Sequence, residues 1–516
     1  MDIVDTLGQA EAYLHPVDAV DLIETHMSWV FLAGNFAYKI KKPVKFDFAD
    51  FSSLDKRYFF CQEEFRCNRH FNPDLYLAVV PICTMQNGRV QVEPKNYQPE
   101  NVVEWAVKMN RFDLSTQALV LLDHDELHES TFWDFGHDLG QRHANLPRVH
   151  EGYDPARPML DNFSTLARLT EPELSRMVKR IYGHMQVVLK RLVPLLLARN
   201  DDGFVRECHG DLHLGNLMCV NGALQAFDCI EFDPKLRCID VWADVAFLFM
   251  DLSVRGRSDL AYSYIDGYLN STGDYDGARL LPLLSTYRAL VRAKVNTLRY
   301  EQCGDASLME AVIANLNWVE QRQQKNVGKI IITHGLSGSG KSFWAKKLLA
   351  TFPLIRLRSD VFRKSRFGLE ISAKSNSPVA GGIYDLQSTA QVYESLAVLA
   401  KSVICSGENV LVDAAFLTAS QRNTFRNLAQ QCQTDLAIID FTVPLSVLRD
   451  RVRLRLADKE EASEADEKVL YWQVHNREPV LGTGEIIEFD TSDTNVPGLF
   501  SSIELFLKSC ASSNEL

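Results

Sequence analysis

The chain has 516 residues, 46% hydrophobic and 24% charged, with a net charge of −12. Its ordinary composition excludes wholesale disorder, its length sets two to four domains at ~100–200 residues each, and its acid excess speaks against nucleic acid as the main partner without excluding it. No apolar run approaches the ~20 residues of a membrane span, the longest being Val187–Leu197 and Val245–Leu252.

The first residues, MDIVDTLGQAEAYLHPVDAVDLIETH, are acidic and carry neither a basic n-region nor an apolar core, so no signal peptide is expected. The 11 cysteines include no C-x-x-C pair, which reads as reduced thiols in a cytoplasm. Cys208, Cys219, Cys229 and Cys238 are spaced as core thiols rather than as a compact metal site.

In chain order, the strand-like runs WVFLAG, FAYKIKK and LYLAVVPI lie between Trp29 and about Ile82, around one helical stretch, Leu54–Phe71. The run Asn101–Asn110 offers a hinge candidate against adenine. From about Thr131 to Glu320 helical periodicity dominates, broken by one hairpin at Leu217–Phe227. Ala311–Gln321 reads as a helix, and QRQQKNVG as a linker. Beyond it, strands at Lys329–Thr333, Leu354–Leu357, Asn409–Val412 and Leu436–Phe441 alternate with helices, which implies a parallel sheet. The expected division is a first domain over 1–320, a linker over 321–328 and a second domain over 329–516. The first has a small β-rich lobe at about 20–110 and a helical lobe at about 111–320.

The first chemical constellation is H-G-D-L-H-L-G-N at His209–Asn216, followed by LMCV-NG-ALQAFD. Asn221-Gly222 is a type I′ hairpin signal, because both residues tolerate positive φ. Folding about it brings position 227 opposite Asn216, so Asp211, Asn216 and Asp228 converge. Phosphoryl transfer needs such a trio: a carboxylate for the attacking hydroxyl's proton, and an amide oxygen and a second carboxylate for Mg²⁺. This stretch, with FDCIEFDPKLRCIDVWADVAFL after it, resembles the aminoglycoside phosphotransferase and choline kinase-like group, relatives of the protein kinases. The resemblance implies Asp211 as catalytic base, Asn216 and Asp228 as Mg²⁺ ligands, and Asp240 and Asp244 as the family's D-x-x-x-D. It also implies a phosphate-binding lysine, Lys39, with Lys41 on the same strand face as its rival, and a helical partner, Glu64, with Glu63 second. No G-x-G-x-x-G covers the phosphates and no Gly follows Asp228-Cys229, which speaks against a protein kinase. Glu231, Asp233, Asp240 and Asp251 would suit a cationic substrate.

The second constellation is Gly335-Leu-Ser-Gly-Ser-Gly-Lys341-Ser342, which fits G-x-x-x-x-G-K-[ST] between a strand and a helix. Backbone N–H groups at Gly335, Ser337, Gly338, Ser339 and Gly340 would face phosphates, Lys341 would reach the β- and γ-phosphates, and Ser342 would coordinate Mg²⁺. Three features narrow the type. LIRLRSDVFR ends a strand in Ser-Asp-x-x-Arg, NVLVDAAF ends one in Asp413, and PLSVLRDRVRLRL is an amphipathic helix with arginine stripes 449/453 and 451/455. Together they resemble the gluconate kinase, chloramphenicol phosphotransferase and polynucleotide kinase group. That resemblance implies Asp360 as base, Arg363 as clamp, Asp413 as Walker B or substrate carboxylate, and Arg449 and Arg453 on a lid; Asp360 is equally readable as a helix N-cap. Ser463–Asp466 reads as a capping box.

In tandem, the two halves resemble a bacterial fusion family. The expected fold is an α+β bilobal protein-kinase-like domain followed by an α/β P-loop NTPase domain with a parallel sheet. The expected cofactors are ATP and Mg²⁺, and the expected partners are small molecules bearing a hydroxyl, with no membrane. Two rivals stand beside this reading: an ATP-binding regulatory switch, and a nucleic-acid 5′-end kinase through the second domain.

Overall fold

The computed structural model describes residues 3–46, 49–86, 88–149, 154–324, 327–371, 373–375, 377–455, 465–481, 485–492 and 496–509. The chain divides into two compact units. One comprises Met1–Leu127, Arg142–Arg157 and Val193–Leu248; the other comprises His128–Gln141, Pro158–Leu192 and Phe249–Leu516.

The first unit is built on a six-stranded antiparallel sheet of β1 (Val20–Glu24), β2 (Ser28–Ala33), β3 (Phe36–Lys41), β4 (Tyr76–Thr84), β5 (Val90–Val92) and β6 (Val102–Asn110), in the order β1-β2-β3-β6-β4-β5. Side chains alternate across a strand. In β3, Tyr38 and Ile40 therefore enter a core with Leu7, Phe31 and Val80. Ala37 faces the other way, with Leu32, Val107 and Cys61 of helix α1 (Leu54–Asn68). Lys39 and Lys41 share the face of Ala37 and so look toward α1. Ser53 caps α1 by accepting from the Lys56 N–H. The run considered as a hinge is a full strand, β6, paired with β3 and β4 and buried at Ala106 and Val107.

Four short strands complete this unit. β7 (Val205–Glu207) pairs with β10 (Cys238–Asp240), and β8 (Leu217–Val220) forms a hairpin with β9 (Ala223–Ala226). The hairpin turns at Asn221 and Gly222, with φ of 52° and 82°, the geometry that Asn-Gly predicts. The β7/β10 pair lay hidden in what reads as helical sequence. Helix α2 (Val241–Val254) follows β10 directly.

The second unit carries the helices Leu281–Cys303 and Ala306–Gln323, helix α3 (Ser258–Thr272), and a parallel sheet. The sheet comprises β11 (Ile330–His334), β12 (Leu354–Arg358), β13 (Asn409–Asp413), β14 (Leu436–Thr442) and β15 (Glu485–Asp490), in the order β12-β13-β11-β14-β15. Every adjacent pair in it is parallel. Ile331, Leu411, Ala437 and Ile439 form a core with Trp344 and Leu348 of helix α4 (Lys341–Leu349) and with Leu499 and Ile503 of the helix Val496–Lys508. This is the α/β arrangement expected from strand–helix alternation, extended by β15. Among the described residues no helix is long and apolar enough to cross a membrane, and no cysteine forms a disulfide.

Candidate active sites

In the first unit, β3, α1 and the segment after β9 meet in a chain of ion pairs. Lys39 Nζ lies 2.7 Å from Glu64 Oε1 and 2.5 Å from Asp228 Oδ1. Lys41 Nζ lies 2.5 Å from Glu64 Oε2 and also pairs with Glu231. Glu64, fully buried, thus bridges both lysines. Burial alone would raise its carboxyl, but Lys39 and Lys41 outweigh that and hold it at about 2. Burial likewise opposes the charge on Lys39, and Asp228 and Glu64 overcome it to raise the ammonium well above its usual range. Burial raises Glu231, against Lys41. Glu63 turns to Arg66 and Arg237 instead.

The loop His209–Asn216 is pinned from beneath. Asp244 in α2 accepts from the N–H groups of His209 (3.0 Å) and Gly210 (2.9 Å). Gly210 has φ of +84°, and a Cβ there would meet the Leu236 carbonyl at 2.8 Å, so only glycine fits. His209 Nε2 donates to the Phe227 carbonyl at 2.9 Å, tying the loop to the end of the hairpin, and burial lowers its pKa. The Asn216 amide nitrogen donates to the Asp211 carbonyl (2.9 Å) and to Asp211 Oδ2 (3.0 Å). The Phe227 N–H donates to the Asn216 carbonyl at 3.0 Å, which sets Asp228 beside Asn216. Asp228 itself sits at φ of +61° and donates its N–H to the Tyr76 hydroxyl. A non-glycine residue held left-handed at a convergence of this kind stores strain where function is sought.

The acidic residues weighed for a cationic substrate are already committed. Glu231 pairs with Lys41, and Asp233 caps a short helix at the Lys235 N–H. Asp240 forms a two-pronged pair with Arg199, and Asp251 pairs with Arg255.

In the second unit, Gly335–Ser342 wraps from β11 into α4 as the motif requires. Gly335, Gly338 and Gly340 have φ of 144°, 86° and 89°. A Cβ at Gly338 would meet the Leu448 carbonyl at 2.9 Å. That contact comes from helix α6 (Leu445–Arg455), reached after helix α5 (Ser359–Arg366), and Leu448 and Val452 of α6 pack under Leu336. Lys341 Nζ donates to the carbonyls of Gly335 and Leu336, both at 2.8 Å. Asp413 closes β13, next to β11, with buried Oδ2 accepting no hydrogen bond. Arg356 and Arg358 lie 3.6 Å and 3.8 Å from that oxygen without donating to it, and a buried carboxylate oxygen that accepts no hydrogen bond, on the strand next to the one that leads into the glycine loop, fits a bound cation.

The other residues expected here are placed as follows. Asp360 lies in the first turn of α5, whose N-cap is Arg358. Arg363 donates to the Ile383 carbonyl at 2.6 Å and lies over the Tyr384 ring. Arg453 is exposed and paired with Glu467. Arg449 makes no contact with the loop among the described interactions. Two residues that sequence reasoning did not select do reach the loop. Arg451 donates to the Gly338 carbonyl (3.4 Å) and to Thr491 Oγ1 (2.8 Å). Gln473, in helix α7 (Glu467–Asn476), accepts from the Ser337 N–H at 2.7 Å. The arginine stripe containing Arg451 was the available signal; for Gln473 there was none. The capping box at Ser463 lies outside the described residues, and α7 is instead capped by Asp466 on the Val469 N–H.

Part of the chain matches a described family, and the chain is similar to several known proteins. Residues 330–480 match the family model described as AAA domain, which is well under half of the chain. Uncharacterized proteins of Mycobacterium tuberculosis and Mycobacterium bovis are 28% identical over 472 residues, covering 90% of this chain and 92% of theirs. A choline/ethanolamine kinase family protein from Mesorhizobium loti is similar over 60% of this chain and 88% of its own, at 11% identity and a TM-score of 0.38. A sugar kinase from Janibacter is similar over 35% of this chain and 94% of its own, at 17% identity and a TM-score of 0.28.

Proposed function

We propose that the protein is an ATP- and Mg²⁺-dependent phosphotransferase with two nucleotide sites, one in residues 1–320 and one in 329–516, each passing the γ-phosphate to a hydroxyl of a small molecule. The observation that supports this most is the first site's convergence: one ion-pair chain joins Lys39, Glu64 and Asp228, and the Phe227 N–H bond to the Asn216 carbonyl brings the chain at Asp228 next to the Asp211–Asn216 pair. In this reading Lys39 holds the α- and β-phosphates, Glu64 orients Lys39, and Asp211 takes the proton of the acceptor hydroxyl. Asn216 and Asp228 would hold Mg²⁺, which neutralises charge on the phosphates when bound. In the second site the amides of Gly335–Ser342 cradle phosphates, Lys341 leaves its carbonyls for them, and Ser342 and Asp413 would hold the cation. Asp360 is the candidate base there.

A second reading applies to the second site alone: ATP binding as a switch. The Arg363 guanidinium, spent on the Ile383 carbonyl, favours it.

The test is a screen of hydroxyl-bearing metabolites and nucleic-acid 5′-ends with γ-labelled ATP. Asp211→Asn should lower transfer by the first site about 10²–10⁴-fold with ATP binding retained; unchanged turnover removes Asp211 as base. Lys341→Ala should abolish ATP binding at the second site only. Transfer to no acceptor, with ATP binding intact, would leave the switch.

A further inference from the structure

Helix α3 presents Tyr262, Asp266 and Asn270 at i, i+4, i+8 spacing, one stripe of a helix. Each meets a residue of the α/β sheet region. Tyr262 donates to Glu408, Asp266 pairs with Arg356, and Asn270 accepts from Arg358.

The middle rung leads to the P-loop. Arg356 Nε and Nη2 donate to the two oxygens of Asp266, at 2.8 Å and 2.7 Å, and Nη1 donates to the Ser342 carbonyl at 3.2 Å. The Trp133 indole N–H fixes the same carboxylate at 2.8 Å. Asp413 Oδ2 lies close by, 3.6 Å from Arg356 Nη1 and 3.8 Å from Arg358 Nε, yet it accepts from neither. The planar guanidinium has a fixed fork geometry. With one fork on Asp266 and Nη1 on Ser342, it cannot turn onto Asp413. A buried arginine deprived of its carboxylate takes the nearest one left, because an unpaired buried charge is costly. Here that carboxylate is Asp413.

We infer that Asp266 is a positioning residue of the P-loop site: by holding Arg356 in a two-pronged pair, it keeps the Asp413 carboxylate available to a divalent cation. The inference rests on the reading of Asp413 as a cation-side residue.

The experiment measures ATP binding to the full-length protein by calorimetry, in excess chelator and across a Mg²⁺ titration. The first site's signal is removed by subtracting Lys341→Ala in each background. Asp266→Asn should raise the Mg²⁺ concentration for half-maximal binding about tenfold, with Mg²⁺-free affinity within about twofold. Adding Arg356→Met should restore the Mg²⁺ requirement, since Arg356 then no longer competes for Asp413, Arg358 stays where it is, and a neutral pair replaces a buried ionic one. Equal loss of Mg²⁺-free and Mg²⁺-dependent affinity, or a double variant worse than the single, overturns the inference and leaves a packing role. Should Asp266→Asn not fold, Trp133→Phe, which removes one donor and no charge, should shift the Mg²⁺ midpoint the same way by about threefold; no shift overturns the inference. Asp413→Asn separates the two failures. If it moves the midpoint and Asp266→Asn does not, only the inference falls; if it does not move it, the reading of Asp413 falls with it.

Discussion

The two candidate sites are built by opposite means. The first is made of side chains drawn from four separated stretches of chain: Lys39 and Lys41, Glu64, and Asp228 to Glu231, joined by ion pairs, and Asp211 to Asn216, joined to them by hydrogen bonds. The second is one continuous loop whose groups are mostly backbone amides, admitted by glycines at positive φ. A side-chain site depends on tertiary structure and on buried charge. A backbone site depends on local conformation and on whatever helix packs over it. Lys341 apart, single side-chain substitutions should therefore act sharply in the first and gradually in the second.

The sharpest test of that contrast separates the two lysines. Lys39 touches Asp228, and Lys41 touches Glu231 instead. Lys39→Ala should lower kcat/KM for the first site's transfer by about 10²-fold, the loss of a charge-assisted contact to the phosphates. Lys41→Ala should show its main effect as a lower melting temperature, because Glu64 and Glu231 lose a buried partner. Reversed effects would exchange the two roles. In the second site, Arg451→Ala should weaken ATP binding about tenfold. Arg453→Ala should change it less than about twofold, since Arg453 is an exposed partner of Glu467. Equal effects would mean that α6 does not present one face to the loop.

The smallest expected effect is on acid stability. Glu64 lies at about 2 in the folded chain, against an ordinary 4.5. A lowered folded value contributes stability that is whole above the unfolded value and is lost as pH falls toward the folded one. The first unit should thus lose stability between roughly pH 4.5 and 2, and Glu64→Gln should flatten that limb in acid unfolding followed by circular dichroism.

How much of this was legible in the sequence follows the same divide. The P-loop could be read directly, because its chemistry is contiguous and its flanking strand and helix carry their own patterns. The loop His209–Asn216 and its hairpin could be read because Asn221-Gly222 fixes the register. Lys39 and Lys41 stayed open because strand alternation puts both on one face, and only the positions of Asp228 and Glu231 tell them apart. The α6 arginines stayed open for a like reason: helical spacing separates 449/453 from 451/455, but which stripe faces the loop depends on where Leu448 and Val452 bury. Asp266, Arg356 and Gln473 left no local signature, since each acts through a partner more than 80 residues away.

The α3 stripe bears on inheritance. A gene fragment beginning at Lys329 would encode Arg356, Arg358 and Glu408 without Asp266, Asn270, Tyr262 or the Arg322 that pairs with Glu408. It would leave Arg356 and Arg358 only Asp413 as a carboxylate partner and Glu408 without its arginine, and a recombinant joining this P-loop half to a different helical half would cover those charges without their partners. The two halves are thus expected to descend together rather than to be shuffled, with α3 and the sheet edge co-varying as one unit.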